Sequence, residues 1–192
     1  MAGETPTIEP TGSLENRSAV LATEEYESFV KSCAEMALAI DIPNRLIAHA
    51  AILENNILKL SVEKVDVLTG SFPEFFFSQI SGEFEKALAR QVEIRIITMD
   101  GPPCPEVQQL RERFSNLKVF KLSEDIRGVV GKKIPHFMVS DRKRYRLEEF
   151  HEAKDFEKDP SIKATACFNN PTAAGALHTT FDRVIDIADP LN

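Results

Sequence analysis

The stretch "KKIPHFMVSDRKRYRLEEF", residues 132–150, holds the densest set of side chains able to do chemistry in this chain. His136 can give and take a proton near neutral pH, and a carboxylate such as Glu148 can orient it. The segment reads as two strands around the polar turn "DRK". Alternation puts Ile134, His136 and Met138 on one face of the first strand, with Phe137 and Val139 opposite, toward a core. On the second strand Arg146 and Glu148 share a face and can turn toward His136. Two readings stay open: an acid–base group on a sheet, or a cross-strand ion pair beside a neutral histidine. The second is the commoner arrangement for a lone strand histidine.

Further polar residues sit where the ends of strands would gather them. Thr69 and Ser71 follow the apolar run "VDVLTG", and Thr98 and Asp100 close "VEIRIIT". Ligands of open parallel sheets bind beyond the carboxyl ends of the strands. The late junction "ACFNNP" offers Asn169 and Asn170, and Pro171 after Asn170 suits helix capping. His49 reads as a core-edge residue of a helix, His151 as solvated in a charged loop, and His178 as lacking an evident partner. The basic runs "GKK" and "DRKR" flank the His136 strand and can attract phosphate, but "EEF" and "HEAKDFEKD" dilute that field. No glycine-rich phosphate loop is present; the prolines of "TMDGPPCPE" stiffen a turn. Cys33, Cys104 and Cys167 are odd in number and widely spaced, so neither a zinc site nor a disulfide framework is expected. No metal or cofactor is expected.

The elements that must position these residues follow from periodicity. A chain of 192 residues, 43% hydrophobic and 28% charged, suits one globular domain. A net charge of -7 argues against a nucleic-acid binder that uses its whole surface. No apolar run approaches the roughly 20 residues of a membrane span, and the first residues lack the pattern of a signal peptide. With reduced thiols, these features point to a cytoplasmic protein. Residues 1–20 are rich in Thr, Glu, Pro, Gly and Ser and read as a flexible tail, leaving 21–192 as the domain. "TEEYESFVKSCAEMALAI" is an amphipathic helix with Thr23 as its N-cap, Phe29, Val30, Cys33, Met36 and Ile40 on its apolar face, and "DIPN" as its breaker. Further helices cover 45–60, 72–91, 104–116 and 170–188. The apolar runs near 65–70, 92–98, 117–122 and 161–169 are strands. Strands alternating with helices imply an α/β fold: a central mixed, mostly parallel sheet with helices on both faces.

The order of elements, the "TGS" turn, the His136 segment and the "ACFNNP" junction resemble the phospholipase D superfamily over about residues 40–190. Members carry His, any residue, Lys, four residues, then Asp, with an Asn on a later strand. Two such motifs, from two domains or subunits, make one site. There the His forms a covalent phospho-enzyme while Lys and Asn hold the phosphate. If Asp141 takes the Asp position, His136 stands at the Lys position and Ile134 at the nucleophile position. A second register places His136 as nucleophile, but then Met138 replaces Lys and Lys143 replaces Asp. The first keeps Asp141 and the apolar spacing and is preferred.

The resemblance therefore implies a single phospholipase D-like domain that lost its nucleophile. Such a chain would serve as a cytoplasmic binding or regulatory subunit, with His136, Asp141, Arg146, Asn169 and Ser71 around its ligand. Two alternatives remain open. One is an active phosphodiesterase or nuclease, with His136, Asn169 and Glu148 catalytic in a site shared across a homodimer. The other is a structural subunit of a larger complex, with "FPEFFF" as a partner surface. The resemblance implies a homodimer; a protein partner and a phosphate-containing ligand or nucleic acid are the other partners it leaves open.

Overall fold

The runs rich in β-branched residues assemble into one sheet whose two faces are covered by helices. A computed structural model describes residues 14–130, 134–149 and 161–191. In chain order the elements are α1 (Leu14–Glu35), β1 (Ile42–Leu46), α2 (Ile47–Leu60), β2 (Lys64–Thr69), α3 (Glu74–Ala89), β3 (Glu93–Thr98) and α4 (Pro105–Arg113). There follow β4 (Leu117–Leu122), α5 (Glu124–Val130), β5 (His136–Ser140), β6 (Arg144–Glu148), β7 (Ser161–Cys167), α6 (Pro171–Ile185) and β8 (Ala188–Pro190). The strands form a sheet in the order β1-β7-β6-β5-β2-β3-β4-β8.

The class is the expected α/β, with a mixed sheet between helices, but the sheet is not mostly parallel. Only the β2–β3 and β3–β4 pairs run parallel. The β5–β6 hairpin lies antiparallel against β2 and passes that polarity on to β7 and β1, and β8 closes the other edge antiparallel to β4.

Alternation along the strands feeds two cores. Val65 and Val67 of β2, Ile94 and Ile96 of β3, and Met138 of β5 join side chains of α1, α2, α3 and α4, such as Val30, Leu53, Phe84 and Val107. Leu68, Ile97, Phe137 and Val139 face the other way and pack with Ala174, Phe181 and Val184 of α6.

Other details differ from the expectation. Helix α1 already begins at Leu14, inside the expected tail, so Thr23 lies within the helix and is not its N-cap. Residues 1–13 lie outside the described residues. Of the apolar face expected here, Val30 and Cys33 are buried, while Phe29, and Met36 and Ile40 beyond the end of α1, are exposed. The supposed breaker "DIPN" opens β1, where Ile42 and Asn44 are buried beside β7. Neither α5 nor β8 was expected. Among the described residues no helix is long and apolar enough to cross a membrane.

Candidate functional site

The hairpin "HFMVSDRKRYRLE" forms as its alternation requires. His136 pairs with Glu148, Met138 with Arg146 and Ser140 with Arg144. Asp141 and Arg142 both take a φ of 51°, the left-handed backbone of a type I′ turn, and the Lys143 N–H closes it on the Ser140 carbonyl at 2.9 Å. Because β5 begins only at His136, after Pro135, Ile134 escapes the strand's alternation. It packs against the Phe137 and Val139 side, opposite the face expected for it.

On the face shared by His136, Arg146 and Glu148, a cleft of about 220 Å³ opens at the carboxyl end of β2. Helix α2 supplies Ile47, Ala50 and Glu54; the end of β2 supplies Thr69, the turn after it Gly70, Ser71 and Phe72, and the start of α3 Phe75 and Phe76. Asp100, just past β3, and His136, at the start of β5, complete the mouth. Chain reversal at Gly70 leaves no room for a side chain. A Cβ there would stand 2.6 Å from Asp100 Oδ2 and 3.3 Å from His136 Nε2, so the glycine lets these two side chains converge.

The buried end of the cleft is ionic. Arg146 donates from Nε to Asn44 Oδ1 at 2.7 Å, from Nη2 to Glu148 Oε2 at 2.6 Å and from Nη1 to Glu54 Oε1 at 3.3 Å. All three guanidinium nitrogens are thereby engaged, and all four residues are buried. Glu54 Oε2 has no hydrogen-bond partner among the described residues. Burial, and then the charge of Glu148, push the Glu54 carboxyl up to about 7, against the pull of Arg146.

Four of the expected site residues, His136, Arg146, Glu148 and Ser71, thus line one cleft. Asp141 and Asn169 do not. Both lie toward the turn end of the hairpin, and Ser140 is already about 13 Å from His136 along β5, at roughly 3.3 Å per residue. Asp141 instead accepts from the backbone N–H groups of Val62, Glu63 and Lys64 at 3.0 Å each, and from Arg144. These donors outweigh its burial and hold its carboxyl below the usual range. Asn169 follows Cys167, whose β6 partner is Tyr145, and the next residue, Asn170, donates its N–H to Lys143. Asn170 caps α6, its Oδ1 accepting from the Ala173 N–H at 3.0 Å, as its sequence context indicated. An antiparallel β6–β7 pair carries the end of β7 away from the cleft, and sequence alone left that polarity open.

The remaining histidines separate by environment. His49 stacks on Tyr26 with ring centroids 3.8 Å apart, and burial lowers its pKa. His178, expected without a partner, is buried and bonded on both nitrogens. Nε2 accepts from the Arg142 N–H at 3.1 Å, so Nδ1 carries the proton donated to Asp66 at 2.5 Å. Asp66 also accepts from Arg95, and despite burial these bonds keep its pKa low. His151 lies outside the described residues. Glu54 and Asn44 were missed. Glu54, Asn55 and Asn56 interrupt the apolar helix run between Leu53 and Ile57, and Glu54 is the one carboxylate of α2, which was the available signal.

An α/β domain with an ionic cleft beside a central strand is the class this geometry defines. No family model and no curated protein sequence matches the chain. Solved structures do. Nuc from Salmonella typhimurium, a phospholipase D family member, is 12% identical with a TM-score of 0.59, over 80% of this chain and 99% of that one. NucT from Helicobacter pylori is 12% identical with a TM-score of 0.56, over 79% of this chain and 99% of that one. TrmBL2, an archaeal chromatin protein whose structure shows a novel mode of DNA binding, is 10% identical with a TM-score of 0.53 over 91% of this chain. The match spans 65% of the length of TrmBL2. The fold is phospholipase D-like.

Proposed function

We propose that this domain is a ligand-binding or regulatory module that does not hydrolyse phosphodiesters. The observation that carries this reading is the charge of the cleft. Glu54, Glu148 and Asp100 line it, and the guanidinium of Arg146 is already bonded to Asn44, Glu54 and Glu148. A phosphodiester anion entering there meets the carboxylates of Glu148 and Asp100, and an arginine that already donates three of its five N–H groups to Asn44, Glu54 and Glu148. In the preferred register, the nucleophile position falls on Ile134, an aliphatic side chain packed on the opposite face of the sheet. Loss of a nucleophile removes many orders of magnitude in rate. The likeness to TrmBL2 supports the regulatory half of the reading, since a chain of similar fold there belongs to a DNA-binding chromatin protein.

The test is direct. Purified protein is incubated with bis(p-nitrophenyl) phosphate and with single-stranded DNA, beside a His136→Ala variant. Product should appear no faster than in buffer for either protein. Turnover by the wild type that His136→Ala abolishes would overturn the reading and restore His136 as a catalytic residue.

A further inference from the structure

We propose that His178 is a pH-sensitive latch: its neutral ring holds the hairpin turn at Arg142 against α6, and protonation of the ring releases that turn. The latch lies at the end of the hairpin away from His136 and stands independently of how the cleft is read.

The ring is buried and fixed from both sides. Nδ1 donates to Asp66 at 2.5 Å, and Asp66, also buried, is held in turn by Arg95 at 2.6 and 2.8 Å. Arg95 donates to Asp182 of α6 at 2.7 Å and lies 4.7 Å over the Phe181 ring. On the other side Nε2 accepts from the Arg142 N–H at 3.1 Å. A ring that accepts at Nε2 is neutral, because both nitrogens of an imidazolium are donors. Protonation sets two N–H groups against each other, and one partner has to leave.

The turn is the partner that leaves. Asp66 and Arg95 clamp the ring between the sheet and α6, whereas Arg142 is exposed on a surface turn. Asp141 and Arg142 both take a φ of 51°, a left-handed backbone that a side chain disfavours and that type I′ turns usually give to Asn or Gly. The contacts on either side do not involve the ring: the Asp141 carboxylate accepts from the N–H groups of Val62, Glu63 and Lys64, and the Lys143 carbonyl accepts from the Asn170 N–H. Release is therefore confined to Arg142. Charge welcomes the proton, since Asp66 of β2 and Asp182 of α6 outnumber Arg95 of β3. The hairpin adds Asp141, paired with Arg144 at 3.0 Å, and the Arg142 side chain; the other charges of β5 and β6 lie further along, at His136, Arg146 and Glu148. Imidazole ordinarily changes charge between about pH 5 and 8.

Two signals of the isotope-labelled full chain test this between about pH 8 and about pH 4.5. The ring nitrogens of His178 should show the Nδ1–H tautomer at the upper end and titrate to the imidazolium on acidification. With the same midpoint the Arg142 amide should lose at least about tenfold of its hydrogen-exchange protection, after correction for intrinsic exchange. The amide of Val139, a buried residue of β5 between β2 and β6, should stay protected throughout. In His178→Gln the side-chain carbonyl accepts from Arg142 at every pH, so protection there should no longer depend on pH. The wild-type titration decides the proposal even if that variant fails to fold. Arg142 protection that persists through the titration of the ring would overturn it. So would a ring that stays neutral until Val139 and Arg142 lose protection together, or a His178→Gln protein that still releases Arg142 on acidification.

Discussion

Glu54 should make this protein lose stability as pH rises through neutrality. Its carboxyl is held at about 7, against an ordinary value of 4.5, by burial and then by Glu148, with Arg146 pulling the other way. Asn44 and, around the same cleft, His136 and Asp100 complete its polar surroundings. Between those two values the folded protein binds more protons at this site than the unfolded chain does. The contribution to stability is therefore complete below the unfolded value and disappears as pH rises through the folded one. A gap of about 2.5 units at about 1.36 kcal/mol each amounts to about 3 kcal/mol. Glu54→Gln removes the titration at nearly constant volume. Urea unfolding of both proteins at about pH 5 and about pH 8 should show the wild type losing some 2–3 kcal/mol relative to the variant across that interval. His49, its pKa lowered by burial, adds stability as pH rises through its own range, but it is present in both proteins and cancels in the difference. If the two stability curves ran parallel between these pH values, Glu54 would not be a buried, titrating carboxyl.

Two further substitutions test the assignment of roles along the hairpin. Asp141→Ala removes the acceptor of three backbone N–H groups and puts alanine at a left-handed φ, so urea unfolding should show a loss of about 3 kcal/mol. The imidazole resonances of His136 should stay unchanged in that variant, because Asp141 lies at the far end of β5; a moved His136 signal would place Asp141 in the site after all. Gly70→Ala pushes a methyl group to within 2.6 Å of Asp100 Oδ2, but Asp100 is exposed and can rotate, so stability should change by less than about 1 kcal/mol. The imidazole resonances of His136 should move in that variant, and an unmoved spectrum would show that Gly70 does not set the approach of the two side chains.

Local pattern made much of this molecule legible. The alternation of "HFMVS" and "RYRLE" around "DRK" specifies a hairpin with His136, Arg146 and Glu148 on one face, because strand side chains alternate with a period of two and the pattern needs no distant partner. The order of helices and strands likewise fixed an α/β sheet covered on both faces, and the resemblance to phospholipase D matched the fold found. What pattern cannot state is which strand lies beside which and in what direction, since pairing joins residues far apart in the chain. That is why Asn169 was placed with His136 and lies instead near the turn, and why the sheet was read as mostly parallel. The same limit hid β1, whose Ile42 and Asn44 are buried only because β7 runs alongside. It also concealed the partners of His178, since Asp66 comes from a strand 112 residues earlier. Glu54 shows the division most plainly. Its sequence determined a helix with one carboxylate; only the tertiary structure turned that carboxylate toward Arg146, 92 residues away, buried it and left one oxygen with no donor among the described residues. Electrostatic energy depends on distance through space and on exclusion of solvent, and neither is a property of position along the chain.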